Sequence, residues 1–144
     1  MTKLNTWAES HQDSRWVGQS ELWADPLGNT AEVSKGTLQI DGNGLRYNWS
    51  YKETQQSGQL KWANEQLNWQ DSWHQPEGVM LTPVPGHGSL LAGEYSYPAG
   101  SGPDWHWRIK LALRPNDTLV LQMSNIAPWG EEARAVRMTF QKSD

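Results

Sequence analysis

The stretch LNWQDSWHQP, residues 67–76, decides the fold. Leu67, Trp69, Asp71 and Trp73 fall on alternate positions, with Asn68, Gln70, Ser72 and His74 between them. Successive side chains of a strand point to opposite faces, so the alternation predicts a half-buried β-strand. One face then carries Leu67, Trp69 and Trp73, with the acid Asp71 in the middle of the row. A bare carboxylate in apolar surroundings is costly, so the row needs a partner for it.

The same period of two runs outward in both directions. Asp41-Gly42-Asn43-Gly44 reads as a turn, followed by Leu45, Tyr47, Trp49 and Tyr51 on one face. Gln55 to Gly58 reads as the next turn, followed by Leu60 and Trp62. Beyond the Pro/Gly-rich segment 76–88 come Leu91, Tyr95 and Tyr97, and the loop Pro98–Pro103. Trp105, Trp107, Ile109, Leu111 and Leu113 then alternate with His106, Arg108, Lys110 and Arg114. Leu119, Leu121 and Met123 form another row, and Arg134, Val136, Met138 and Phe140 the last. Residues 17–24 and 30–40 read as two earlier strands, the second broken by a bulge at Gly36. The helical candidate is N-terminal: Leu4, Trp7, Ala8 and His11 share a face, and Thr6-Trp7-Ala8-Glu9 fits a capping box. About nine or ten short strands with hairpin-length connections predict an all-β, antiparallel, up-and-down meander. Closing it into a barrel removes both exposed edges.

Composition bounds the rest. A chain of 144 residues is expected to form one domain spanning 1–144. Ten tryptophans against one phenylalanine mean that indoles and leucines fill the interior. Each indole brings an N–H that wants an acceptor, so such a core is expected to hold polar groups or a cavity. A net charge of −4 argues against general nucleic-acid or anionic-membrane binding. With no cysteine there is no disulfide, zinc–thiolate site or thiol nucleophile. The opening MTKLNTWAES has no apolar h-region, and no segment approaches a bilayer-spanning length, so a cytoplasmic location is expected.

A short N-terminal helix, Trp16-Val17-Gly18 opening the first strand and an arginine on the last (Arg137) together resemble the calycin superfamily of lipocalin-like barrels. The nearest likeness is to small bacterial members. The resemblance implies that Trp16 packs under Arg137 or Arg134 to close one end of the barrel. Some lipocalin-like barrels bind haem through a histidine late in the chain. Here no histidine follows His106, and no cofactor is expected.

For the candidate site, alternation places Trp49, Trp69, Trp73, Tyr95, Trp105, Trp107 and Met123 on inward rows with Asp71. The last strand's inward row continues through Arg134 to Glu132, so an Asp71–Arg134 pair is the expected answer to the buried acid, with indole N–H donors, or a strand end that has left the core, as the alternatives. Arg46, Asn48, Gln70, Arg108 and Lys110 are expected to face water, as are His74 and His106. The histidines show no metal-ligand spacing. Glu131 and Glu132 are adjacent and cannot form a carboxylate pair on one strand face. The turn 125–132 reads as a rim or lid of an opening or merely a hairpin corner, and 83–88 reads as a loop similarly placed to flank an opening. The basic stripe of His106, Arg108, Lys110 and Arg114 reads as a solvated face rather than an oligonucleotide surface. The leading expectation is a barrel that binds a small aromatic or amphipathic ligand, as a monomer or weak homodimer. The alternatives are a structural or protein-interaction barrel filled solid by its tryptophans, and, third, an enzyme with Asp71 as general base.

Overall fold

The computed structural model describes residues 2–23 and 30–143. Helix α1 (Thr2–Ser10) leads into ten antiparallel strands: β1 (Arg15–Leu22), β2 (Glu32–Ile40), β3 (Gly44–Tyr51), β4 (Thr54–Ala63), β5 (Gln66–Asp71), β6 (Gln75–Pro83), β7 (Leu91–Tyr97), β8 (Trp105–Arg114), β9 (Thr118–Ile126) and β10 (Glu132–Ser143). Each strand pairs with its sequence neighbour, and β1 pairs with β10, so the meander closes into a barrel. The expected fold class is the observed one. Alternation decides which side chains are inside: Leu45, Tyr47 and Trp49 of β3, Leu60 and Trp62 of β4, and Leu67, Trp69 and Asp71 of β5 are all buried. Trp107, Ile109 and Leu111 of β8 and Val136, Met138 and Phe140 of β10 complete the lining.

The two ends of the barrel differ. At one, α1 lays Leu4, Trp7 and Ala8 into the core, with Trp7 6.0 Å from Trp16 between ring centroids. The segment after α1 is tied to the β2–β3 turn by paired hydrogen bonds between the Gln12 side chain and Gly42. The helix begins at Thr2, so Thr6 lies inside it and the expected capping box does not form. The Pro83–Gly88 loop joins β6 to β7 at this same helix-covered end and does not flank an opening. The opposite end is formed by the β3–β4, β5–β6, β7–β8 and β9–β10 connections.

Several local readings are corrected. The β3–β4 turn is Lys52-Glu53, both in the left-handed region, and residues 55–58 lie inside β4. Gly36 carries no bulge: β1 and β2 stay in register through Gly18↔Gly36. Pro76 to Pro83, expected as irregular, is strand β6. Its pairing with β7 covers only Thr82↔Glu94 and Pro83↔Gly93, so toward the end away from α1 these two strands part. A bulge does occur in β10, between Arg134 and Val136. The extra residue, Ala135, reverses the parity of everything before it, so Arg134 and Glu132 leave the inward row.

Gly58 explains its own misreading. It stands opposite Tyr47 on one side and Asp71 on the other. A Cβ at Gly58 would lie 2.2 Å from Cζ and Oη of Tyr47. The glycine is there because the tyrosine ring lies across it, not because the chain turns. Gly58→Ala should therefore cost about 2 kcal/mol in chemical unfolding, as overpacking does. Combining it with Tyr47→Leu, which removes the overlapping atoms, should make the added cost of the methyl group small.

Candidate functional site

The barrel end away from α1 is where the aromatic rows converge, and Asp71 organises it. β5 ends at Asp71, and residues 72–74 turn. Its Oδ1 accepts the backbone N–H groups of Trp73 (2.8 Å) and His74 (3.1 Å), a local bond pattern that aspartate favours at turns. Its Oδ2 accepts the Tyr47 hydroxyl at 2.5 Å, and that hydroxyl in turn accepts the Trp69 indole N–H at 3.0 Å. The carboxylate is 1% exposed. Burial first, then the charge and hydrogen bond of Asp71, hold the Tyr47 phenol well above its ordinary value, against the Trp69 bond that lowers it. Tyr47 therefore remains a donor.

The expected Asp71–Arg134 pair does not exist. The β10 bulge turns Arg134 to the outer wall, where its guanidinium lies 4.2 Å from the Trp23 ring centroid, with Arg137 at 5.9 Å. The arginines thus cover Trp23, not Trp16 as the calycin resemblance implied. Trp16 sits at the helix end and donates to Ser14 Oγ. Glu132 is likewise outside, receiving Lys110 Nζ at 2.8 Å and Arg108 at 3.6 Å, while Arg108 Nε donates to Glu94 at 3.1 Å. Arg108 and Lys110 stand on the outer row, but they do not face water as expected: they are only 15% and 21% exposed, because this ion-pair lattice covers them. Burial would raise the Glu132 carboxyl, but hydrogen bonds from Lys110 and Ser124 and the charges of Lys110 and Arg108 hold it below its ordinary value. The basic stripe of β8 is thereby largely neutralised by its own neighbours.

His74 is the residue that the alternation missed. The turn at 72–74 carries it off the solvent row and over this end of the barrel, where its ring stacks on Trp107 at 4.0 Å and 21°. Trp69, Trp73 and Tyr97 surround it at 5.8, 5.8 and 6.5 Å. Burial pushes the imidazole below 6.5, against an opposing pull from the Asp71 charge. The signal was available in Asp71-Ser72-Trp73-His74, since an aspartate followed by a serine is as good a turn as a strand. His106 does face outward, 3.9 Å from Glu94.

The remaining expected residues fall into two shells. Trp49, Trp69, Trp107 and Met123 are fully buried. Trp73, 38% exposed, packs edge-on to Trp49 (5.5 Å, 84°) and beside Tyr51 (6.1 Å). Tyr95 and Tyr97 are half-buried and 6.1 Å apart, and the Tyr97 hydroxyl donates to the side-chain oxygen of Asn125. They stand on β7 where it parts from β6. Trp105 is half-buried and meets the exposed Trp129 edge-on at 5.7 Å, so the 125–132 turn does reach this end. The indole N–H groups of Trp49 and Trp107 are buried without a protein acceptor.

Asp71 is badly placed to act as a general base. Three donors already occupy it and solvent does not reach it, whereas a base must touch the proton it removes. Among the described residues no group of three or more His, Asp or Glu side chains is arranged to hold a metal ion, and no helix is long and apolar enough to cross a membrane. A groove of about 840 Å³ lies on the outer wall of β1–β5, lined by hydroxyl, amide and guanidinium groups such as Thr37, Asn48, Gln59, Gln70 and Arg46. Trp16 and Tyr47 also border it, but both are fully buried and present no ring face to it. Compared with protein-family models, curated proteins and solved structures, the chain matches none.

Two outcomes follow. Asp71→Ala strands a phenol and two amides and should cost about 3–5 kcal/mol, while Asp71→Asn, which keeps an acceptor for the amides, costs less than half of that. The exposed control Asp104→Ala should change the unfolding midpoint little. Because the folded-state His74 pKa lies below its unfolded value, the unfolded chain binds the extra proton first. Stability should fall as pH drops through about 6.5. His74→Phe, which keeps a stacked ring, should flatten thermal-melt midpoints between about pH 7 and pH 5.5.

Proposed function

We propose that this barrel, of calycin type, binds a small aromatic or amphipathic molecule at the mouth around Asp71. The observation that carries the reading is the set of rings, exposed Trp73 and half-buried His74, Tyr95 and Tyr97, beside buried Trp69 and Trp107 at the end that α1 leaves uncovered. Aromatic walls with few, fixed polar groups characterise small-molecule sites. The parting of β6 from β7 beside Tyr95 supports it, since a ligand entering there breaks no strand-ladder bond. Asp71 and Tyr47 act in this reading as the brace that sets the rings, and Glu132 and Arg134 take no part.

The near-zero exposure of Trp16, Trp49, Trp62, Trp69 and Trp107 favours the second reading, a structural or interaction barrel packed solid. Tryptophan fluorescence separates the two. Titration with a panel of soluble aromatic compounds of each charge type should give saturable, one-to-one quenching by at least one member. Trp73→Ala should weaken it about tenfold or more, the loss of a stacked indole, while leaving the fold intact. A panel without any saturable binder would leave the filled barrel as the account.

A further inference from the structure

The mouth also carries a sign. We infer that it selects an organic cation, such as a quaternary or fully substituted ammonium on a small apolar body, held on the faces of Trp73, Tyr95 and Tyr97 with Asp71 as the buried countercharge. This deepens the proposed ligand site and rests on it.

With Arg134 and Glu132 on the outer wall, Asp71 is the full charge left among the described inward side chains of this end. It is bonded to the backbone N–H groups of Trp73 and His74, at the base of the turn that carries these two rings, and the faces of aromatic rings are themselves electronegative. No described lysine or arginine stands inside to receive an anionic head group. Burial holds His74 below 6.5, so near neutral pH it adds no positive charge. Burial raises the Tyr95 phenol, a bond from Gln75 opposes it, and the charges of Tyr97 and, least of all, Asp71 add to the rise. Burial likewise raises the phenol of Tyr97, so both remain neutral rings. The unpartnered N–H groups of Trp49 and Trp107 have no accessible surface and so do not set the polarity of the opening.

The rings around this end already capture the chain's own cations. Lys52 Nζ lies 5.4 Å from the Tyr51 centroid, and Arg134 and Arg137 cover Trp23. Trp73, Tyr95 and Tyr97 have no such partner among the described residues. A methylated ammonium suits them because it presents positive charge over an apolar surface and needs no hydrogen-bond acceptor from the rings. A carboxylate or sulfonate head would be desolvated beside a buried negative charge with nothing to pair it.

Three probes of matched shape test this by fluorescence titration at neutral pH: phenyltrimethylammonium, its uncharged isostere tert-butylbenzene, and benzenesulfonate. The cation should bind about tenfold tighter than the isostere, the range of desolvated cation–π contacts, and the sulfonate should show no saturation. Asp71→Asn should bring the ratio of the cation's affinity to the isostere's down toward one, whatever it does to the affinity of both through the rings that Asp71 braces. If that variant fails to fold, Tyr95→Leu and Trp73→Leu each should weaken the cation more than the isostere. Equal or tighter binding of the isostere or the sulfonate overturns the inference while leaving a binding barrel in place. Binding of none of the three overturns the inference, and the wider aromatic panel then decides the barrel's reading separately.

Discussion

The hydrogen bond from Tyr47 to Asp71, made across the bare Cα of Gly58, is the contact on which this end of the barrel depends. Three neighbouring strands each contribute one residue to it, in direct register: Tyr47 from β3, Gly58 from β4 and Asp71 from β5. None of the three makes sense alone. A buried carboxylate without donors would be untenable, a buried phenol without an acceptor nearly so, and the glycine would be a weak point in a strand. Together they satisfy one another and fix the indole of Trp69 through its N–H.

From this knot the local architecture follows. Because Asp71 spends its other oxygen on the amides of Trp73 and His74, β5 stops there and the chain doubles back into β6. That turn delivers His74 onto Trp107 and leaves Trp73 leaning on Trp49. The helix covers the other end with Leu4 and Trp7, so the chain builds one packed end and one braced by a carboxylate. The contrast in chemistry between the ends is what distinguishes this barrel.

Much of this was legible in the residues. Alternation alone places Trp49, Trp69 and Trp107 inside and Arg46, Asn48 and Gln70 outside, because a strand that slipped by one residue would expose every indole. The buried state of Asp71 follows from the same row. What the alternation hides is anything that changes parity. One inserted residue, Ala135, moves Arg134 and Glu132 to the outer wall, and nothing in Arg134–Phe140 marks it, since both Ala135 and Val136 are apolar. A turn by Lys52-Glu53 uses residues that seldom adopt the left-handed region, so Gly58 looked like the turn and was not. His74 was lost to the same habit of extending a strand past the aspartate that ends it. The partner of Asp71 is the subtlest case: Tyr47 lay on a predicted inward row, but the register that brings it over a glycine is a tertiary fact.

The claim that Asp71 is braced by Tyr47, and by no arginine, is tested most directly by a double-mutant cycle on those two residues. Unfolding free energies of wild type, Tyr47→Phe, Asp71→Asn and the double variant isolate the pairwise energy. The structure predicts a coupling of about 1.5–3 kcal/mol, the range for a hydrogen bond to a buried charged group, and a cycle of Asp71→Asn with Arg134→Gln that is additive within about 0.5 kcal/mol. Additivity of the tyrosine pair, or strong coupling to Arg134, would contradict the account.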